Sequence, residues 1–189
     1  MVERTIIGMM LVLCMNVLII GFHSGAALSE TLPAATSSLP DFLLQTPSSE
    51  QDRDYLGIEN TETFSIDQIK CKVLMLEIIG VYCPLCHIQL PRNKTLFYRI
   101  KKDALISGKI KILAIAIGAT STEVAYLKEQ FNIPYPVVTD PNFKIHKLIG
   151  EPRTPFTMLI TGGSKVVFTH LGTIEDMDKF YLEIKKFIP

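Results

Sequence analysis

The 189-residue sequence has no surplus of charge of either sign, with Lys+Arg and Asp+Glu at 19 each. It therefore carries no net field that would collect nucleic acid or an acidic substrate. Neither Lys nor Arg occurs between Arg4 and Arg53. Cysteine is scarce. There are four, and Cys14 lies in an N-terminal apolar run, which leaves Cys71, Cys83 and Cys86 for the body of the chain. Three cysteines are too few for a disulfide scaffold of about 160 residues. No internal repeat is visible, and the length suits one domain plus extras.

The N-terminus accounts for much of the 48% hydrophobic content. Arg4 lies in a short polar start, and Ile6 to Phe22 is apolar apart from Asn16 and the glycines. Ser24-Gly25-Ala26 follows, a small-x-small pattern suited to cleavage before Ala27. The run is long for a signal core and short for a membrane span. Residues 1–26 are therefore read as a signal peptide or an N-terminal membrane anchor, with cleavage favoured. The charge bias places the body of the protein outside the cytoplasm in both cases. Leu11-Val12-Leu13-Cys14 is a poor lipobox, because Leu13 is not small and apolar sequence continues past Cys14. Residues 27–38 are rich in Ala, Ser, Thr, Leu and Pro and read as a linker. Residues 39–189 form the domain.

Within that domain Leu39–Leu44 reads as a short strand, Pro47–Asp54 as a polar loop, and Phe64–Ile69 as a turn or short helix. Residues 72–79 form the first strong strand, apolar except for Lys72 and Glu77. A helical pattern runs from Leu85 to about Lys102, with Pro91 predicting a kink. Lys109–Ile117 is apolar enough for a central strand. Thr120-Ser121-Thr122-Glu123 fits a capping box opening a helix to about Asn132. Pro136–Thr139 is a short strand, and Asp140-Pro141 predicts an N-cap and first turn of a helix ending at Gly150. Phe156–Ile160 and Lys165–Leu171 form a hairpin around Thr161–Ser164, and Thr173 is expected to cap a last helix to about Phe187. Strands alternate with helices and a hairpin closes the chain, which predicts an α/β sandwich with a mixed sheet.

The chemistry is concentrated in Tyr82-Cys83-Pro84-Leu85-Cys86-His87. A strand leads into two cysteines spaced Cys-x-x-Cys, and a helix leads out. The unpaired N–H groups of a helix N-terminus favour thiolate over thiol. A thiol–disulfide oxidoreductase is the reading of the motif. Cys71, flanked by Lys70 and Lys72, reads as a half-buried structural residue.

The order of elements resembles the thioredoxin fold, and four positions carry the resemblance. Tyr82 precedes the first cysteine, where thioredoxins usually have Trp. Pro91 stands five residues after Cys86, at the position of the helix-kinking proline. Glu77 stands six residues before Cys83, at the position of the buried acid. Thr154-Pro155 opens the hairpin strand, at the position of the cis-proline. The stretch between Cys86 and Pro155 is longer than in a minimal thioredoxin. The surplus resembles the helix–strand insertion of the TlpA/ResA-like redoxin branch, including its Tyr135–Asp140 stretch.

The resemblance implies roles. Cys83 would attack a partner disulfide and Cys86 would resolve the mixed disulfide. Glu77 would relay the proton of Cys86 through water. Pro155 would be cis and place Thr154 beside the dithiol, where its backbone could pair with an extended client. Tyr82, Pro84 and Leu85 would line the client-binding surface. Leu85 cannot stabilise a thiolate as the His of DsbA-type oxidants does, which makes reduction the expected direction. The branch often has a glutamate two residues before the kinking proline; Gln89 stands there and cannot titrate. No cofactor beyond the Cys83–Cys86 disulfide and no metal is expected. Partners would be protein disulfide clients and a membrane dithiol electron donor, in the bacterial periplasm or at the outer face of the cytoplasmic membrane.

Four other readings compete. A DsbA-like oxidant would use the same site in the opposite direction. Cys83–His87 is also a literal C-x-x-C-H haem-attachment string. A peroxiredoxin would need a Thr shortly before the cysteine, and Leu76, Gly80 and Val81 precede Cys83 without one. A Cys/His metal carrier would draw on His87, His146 and His170.

Overall fold

A computed structural model describes residues 32–188; the segment read as signal peptide or anchor lies outside them. Among the described residues no helix is long and apolar enough to cross a membrane. The elements are β1 (Leu44–Gln45), α1 (Glu50–Leu56), β2 (Thr63–Phe64), a 3-10 turn (Ile66–Gln68), β3 (Val73–Ile79), α2 (Pro84–Lys102), β4 (Ile110–Ile117), α3 (Ser121–Phe131), β5 (Val137–Asp140), α4 (Lys144–Leu148), β6 (Phe156–Thr161), β7 (Lys165–Leu171) and α5 (Met177–Lys185).

The main sheet has the order β5-β4-β3-β6-β7. β4 is parallel to β3 and β5, while β6 runs antiparallel to β3 and β7 to β6. β3 is buried along its whole length, which is why its sequence shows no apolar–polar alternation. Its residues divide between two cores. Val73, Met75 and Ile79 pack with Leu90, Leu96, Phe97 and Ile100 of α2 and with Phe180 and Ile184 of α5. Leu74, Leu76 and Ile78 pack with Leu44, Leu56, Phe64 and Ile145 on the opposite face. Alternation then aims Glu77 at the α2 side. Beside it on β4 stand Ala114 and Ala116, small enough for α2 to lie close to the sheet.

Several boundaries differ from expectation, each for a local reason. Residues 50–54 are helical, not loop. Ser49 accepts the N–H of Asp52, Glu50 and Asp52 sit in the first turn, and only Leu56 is buried. So short a polar helix has no hydrophobic period to betray it. Asp140 ends β5 instead of capping a helix begun at Pro141. A turn intervenes with Phe143 at φ 55°, and the Asp140 carboxylate still receives the N–H groups of Lys144 and His146. Asp176, not Thr173, caps the last helix. The expected strand at Leu39–Leu44 shrinks to Leu44–Gln45 paired with Thr63–Phe64, although Leu39 and Phe42 are buried. The described end of the stretch read as a linker, 27–38, makes contact with the sheet. The N–H of Thr36 donates to Val166, and the N–H of Val166 donates to Ser37, so the chain pairs with the edge of β7.

Candidate active site

Cys83 is the N-cap of α2, and Pro84 follows at the first helical position, where its missing N–H costs nothing. The N–H of Cys86 donates to the Cys83 sulfur at 3.2 Å. Helix formation itself thus turns a donor and the positive end of the helix dipole onto Cys83. The Cys83 thiol in turn faces the Thr154 carbonyl at 3.5 Å. The Thr154–Pro155 bond is cis, as the sequence led us to expect. Gly80 permits this convergence, since a Cβ there would stand 3.3 Å from the Cys83 Cβ and 3.5 Å from the Thr154 hydroxyl.

The two cysteines differ in environment, and both are free thiols. Cys83 is half-buried, whereas Cys86 is fully buried one turn along. Burial, and then the Cys83 sulfur, pushes the Cys86 thiol up. It needs a base to react. Glu77 is fully buried, and burial pushes its carboxyl up to about 7, against the Asn93 amide that favours the charged form. Its Oε2 receives the Asn93 side chain, and its Oε1 is buried without a protein partner.

Around the motif, Tyr82 is 79% exposed and Leu85 48%. The Tyr82 hydroxyl donates to Glu123 of α3 at 2.7 Å. Thr120 and Tyr82 hold the Glu123 carboxyl down to about 2. The inserted helix therefore fixes the aromatic side chain beside the dithiol. His87 does not turn toward Cys83. Its Nε2 meets the Val81 carbonyl at 2.7 Å and its ring packs on Phe131. His146 and His170 are likewise bound to backbone carbonyls, of Pro152 and Thr173. Among the described residues no three His, Cys, Asp or Glu side chains cluster as metal ligands would. Cys71 packs against the core on the other face of the sheet, and burial pushes its thiol up to about 11.

The structure thus brings together Cys83, Cys86, Thr154 and Pro155, with Tyr82, Pro84 and Leu85 at the surface and Glu77 beneath. Sequence reasoning missed Asn93. Cys86, Gln89 and Asn93 recur at helical spacing on one face of α2, and all three are buried. Two amides on an otherwise apolar helix face were the available signal.

No protein-family model matches the chain. Among curated proteins it is similar to the thiol-disulfide oxidoreductase ResA of Geobacillus thermodenitrificans, 25% identical over 98% of this chain and 96% of that protein. The chain is a thiol–disulfide oxidoreductase similar to the TlpA/ResA-like redoxins. ResA of Geobacillus kaustophilus is 26% identical over 82% of this chain and 81% of its own. Among solved structures, a thioredoxin-family thiol:disulfide interchange protein from Chlorobium tepidum superposes with a TM-score of 0.60 at 17% identity. That match covers 82% of this chain and 99% of its neighbour, and it shows the shared thioredoxin fold.

Proposed function

We propose that this protein is an exported reductant of protein disulfides in the cell envelope, working through Cys83 and Cys86. The observation that carries the proposal is the Cys83 sulfur, held at the mouth of α2 by the Cys86 N–H and set against the Thr154 carbonyl. Export rests on the apolar segment at residues 6–22.

The Cys83 thiolate attacks one sulfur of a client disulfide. An S–S bond to the client forms, the client's own S–S bond breaks, and the departing thiolate takes a proton from water. Cys86 then gives its proton to Glu77 through water, and its thiolate attacks the Cys83 sulfur. The mixed disulfide breaks and the second client thiolate leaves. The client has gained two electrons and Cys83–Cys86 is oxidised, to be reduced again by a membrane dithiol donor. A carboxyl raised to about 7 is suited to accept that proton at neutral pH. Thr154 offers backbone groups to an extended client segment, and Tyr82, Pro84 and Leu85 supply the apolar surface around it.

Equilibration of Cys83–Cys86 in glutathione or dithiothreitol buffers tests the direction. A potential near ~−270 mV supports a reductant, and one near ~−120 mV makes the chain an oxidant. Cys86→Ser should trap client as a mixed disulfide on Cys83, visible by non-reducing electrophoresis, whereas Cys83→Ser should trap none. Trapping on Cys86 instead would overturn the assignment.

A further inference from the structure

A line of buried amides on one face of α2 connects Glu77 to the backbone N–H of Ile174. The N–H of Ile174 donates to Gln89 Oε1 at 2.8 Å. The Gln89 NH2 then points the other way and donates to Asn93 Oδ1 at 2.8 Å, with the Met177 sulfur 3.9 Å from the same nitrogen. The Asn93 NH2 is left to donate to Glu77 Oε2. Gln89, Asn93 and Glu77 are all fully buried.

A backbone N–H can only donate, so the line has one sense. Turning Gln89 round would set its NH2 against the Ile174 N–H. Turning Asn93 round would set its NH2 against that of Gln89 in either state of Glu77, and its oxygen against a carboxylate whenever Glu77 is ionised. Each reversal leaves buried donors or acceptors unmade. Glu77 Oε2 therefore faces a donor that cannot become an acceptor. Its other oxygen, Oε1, has no protein partner. On the neighbouring strand Glu77 is paired in register with Thr157, whose hydroxyl is also buried and unpartnered.

We propose that the Ile174 N–H, Gln89 and Asn93 form a one-way hydrogen-bond chain that confines the exchangeable proton of Glu77 to Oε1. Gln89 and Asn93 are then positioning residues of the resolving step. This rests on the reading of Glu77 as the relay for Cys86. It also gives a reason for glutamine two residues before Pro91. An ionised glutamate there would accept at both oxygens and allow Asn93 to reverse.

Few other groups can titrate against Glu77. Tyr135, from the segment before β5, faces it, and Tyr55 of α1 stands behind Tyr135. Burial raises both phenols, so they remain neutral near pH 7. Cys86 of α2 shares the same buried cluster, and β4 and β6 present Ala114 and Thr157 as the register partners of Glu77.

The test is a carboxyl-carbon NMR titration of Glu77 in the reduced full chain. Asn93→Leu removes the donor, and the Glu77 midpoint should rise by about one to two pH units. Gln89→Met has no hydrogen bond to Glu77, yet should raise the midpoint too, because it frees Asn93 to turn. Gln89→Glu keeps an acceptor for Ile174 and should raise it by reversing Asn93. Midpoints unchanged in the folded variants would overturn the chain. Stopped-flow rates of mixed-disulfide resolution separate this from the relay itself. If Glu77→Gln leaves the pH profile of resolution unaltered, the relay fails while the midpoints still judge the chain. If Glu77→Gln abolishes the neutral-pH inflection but no midpoint moves in the amide variants, the relay stands and the chain fails.

Discussion

Glu77 sits fully buried in the middle of β3 with a carboxyl raised from 4.5 to about 7. In the unfolded chain it loses its proton near its ordinary value, while the folded chain keeps it to about 7. Stability therefore falls as pH rises from about 4.5 to about 7 and levels off above, by about 3 kcal/mol in total from this group. Glu77→Gln should flatten that slope, as measured by denaturant unfolding across the pH range. A slope unaltered in the variant would show that Glu77 ionises as freely as in water. The acid was legible through the thioredoxin resemblance, from its place six residues before Cys83. The side it faces was not, because a strand buried on both faces gives alternation no contrast. Asn93 was missed because its partner lies sixteen residues earlier, across the sheet–helix interface.

α3 shows how an element beyond the minimal fold reaches the site. The capping box foreseen at Thr120 and Glu123 is present, with the Glu123 N–H donating to the Thr120 hydroxyl and the Thr120 N–H to Glu123 Oε2. Unforeseen was that the same carboxylate also takes the Tyr82 hydroxyl. Thr120→Ala should lower stability by about 1 kcal/mol through the lost cap. It should also loosen Glu123 and so release Tyr82. Thermal unfolding and the NMR relaxation of the Tyr82 ring would read the two effects separately, and a rigid Tyr82 ring in the variant would mean that packing alone holds it. The elements read most closely were β3, α2, β4, α3, β6 and β7, whose patterns are long. α1 and α4 are seven and five residues, too short for period or propensity to define their ends.

Across the whole molecule, the stretch before β1 closes the free side of the hairpin. Thr36, Ser37 and Leu39 exchange backbone hydrogen bonds with Ser164 and Val166, and Leu39 is buried against the sheet. Removing residues up to 39 should expose the Val166 amide and cost about 2 kcal/mol from the lost Leu39 contacts. Hydrogen exchange at Val166 would check this; protection equal to that of the full chain would show that the segment adds nothing to the edge. Much about the protein was determined by its sequence alone. Cys83 and Cys86 at a strand–helix junction, Pro91, Glu77 and Thr154-Pro155 are short-range patterns, and hydrophobic runs set the order of strands and helices around them. Only tertiary structure decided which groups meet across that order. It set the Thr154 carbonyl against Cys83, aimed Glu77 at α2, tied Tyr82 to the inserted helix, and strung Ile174, Gln89 and Asn93 into one line. Each of these joins residues far apart in the chain, and such contacts follow from packing, which no local pattern records.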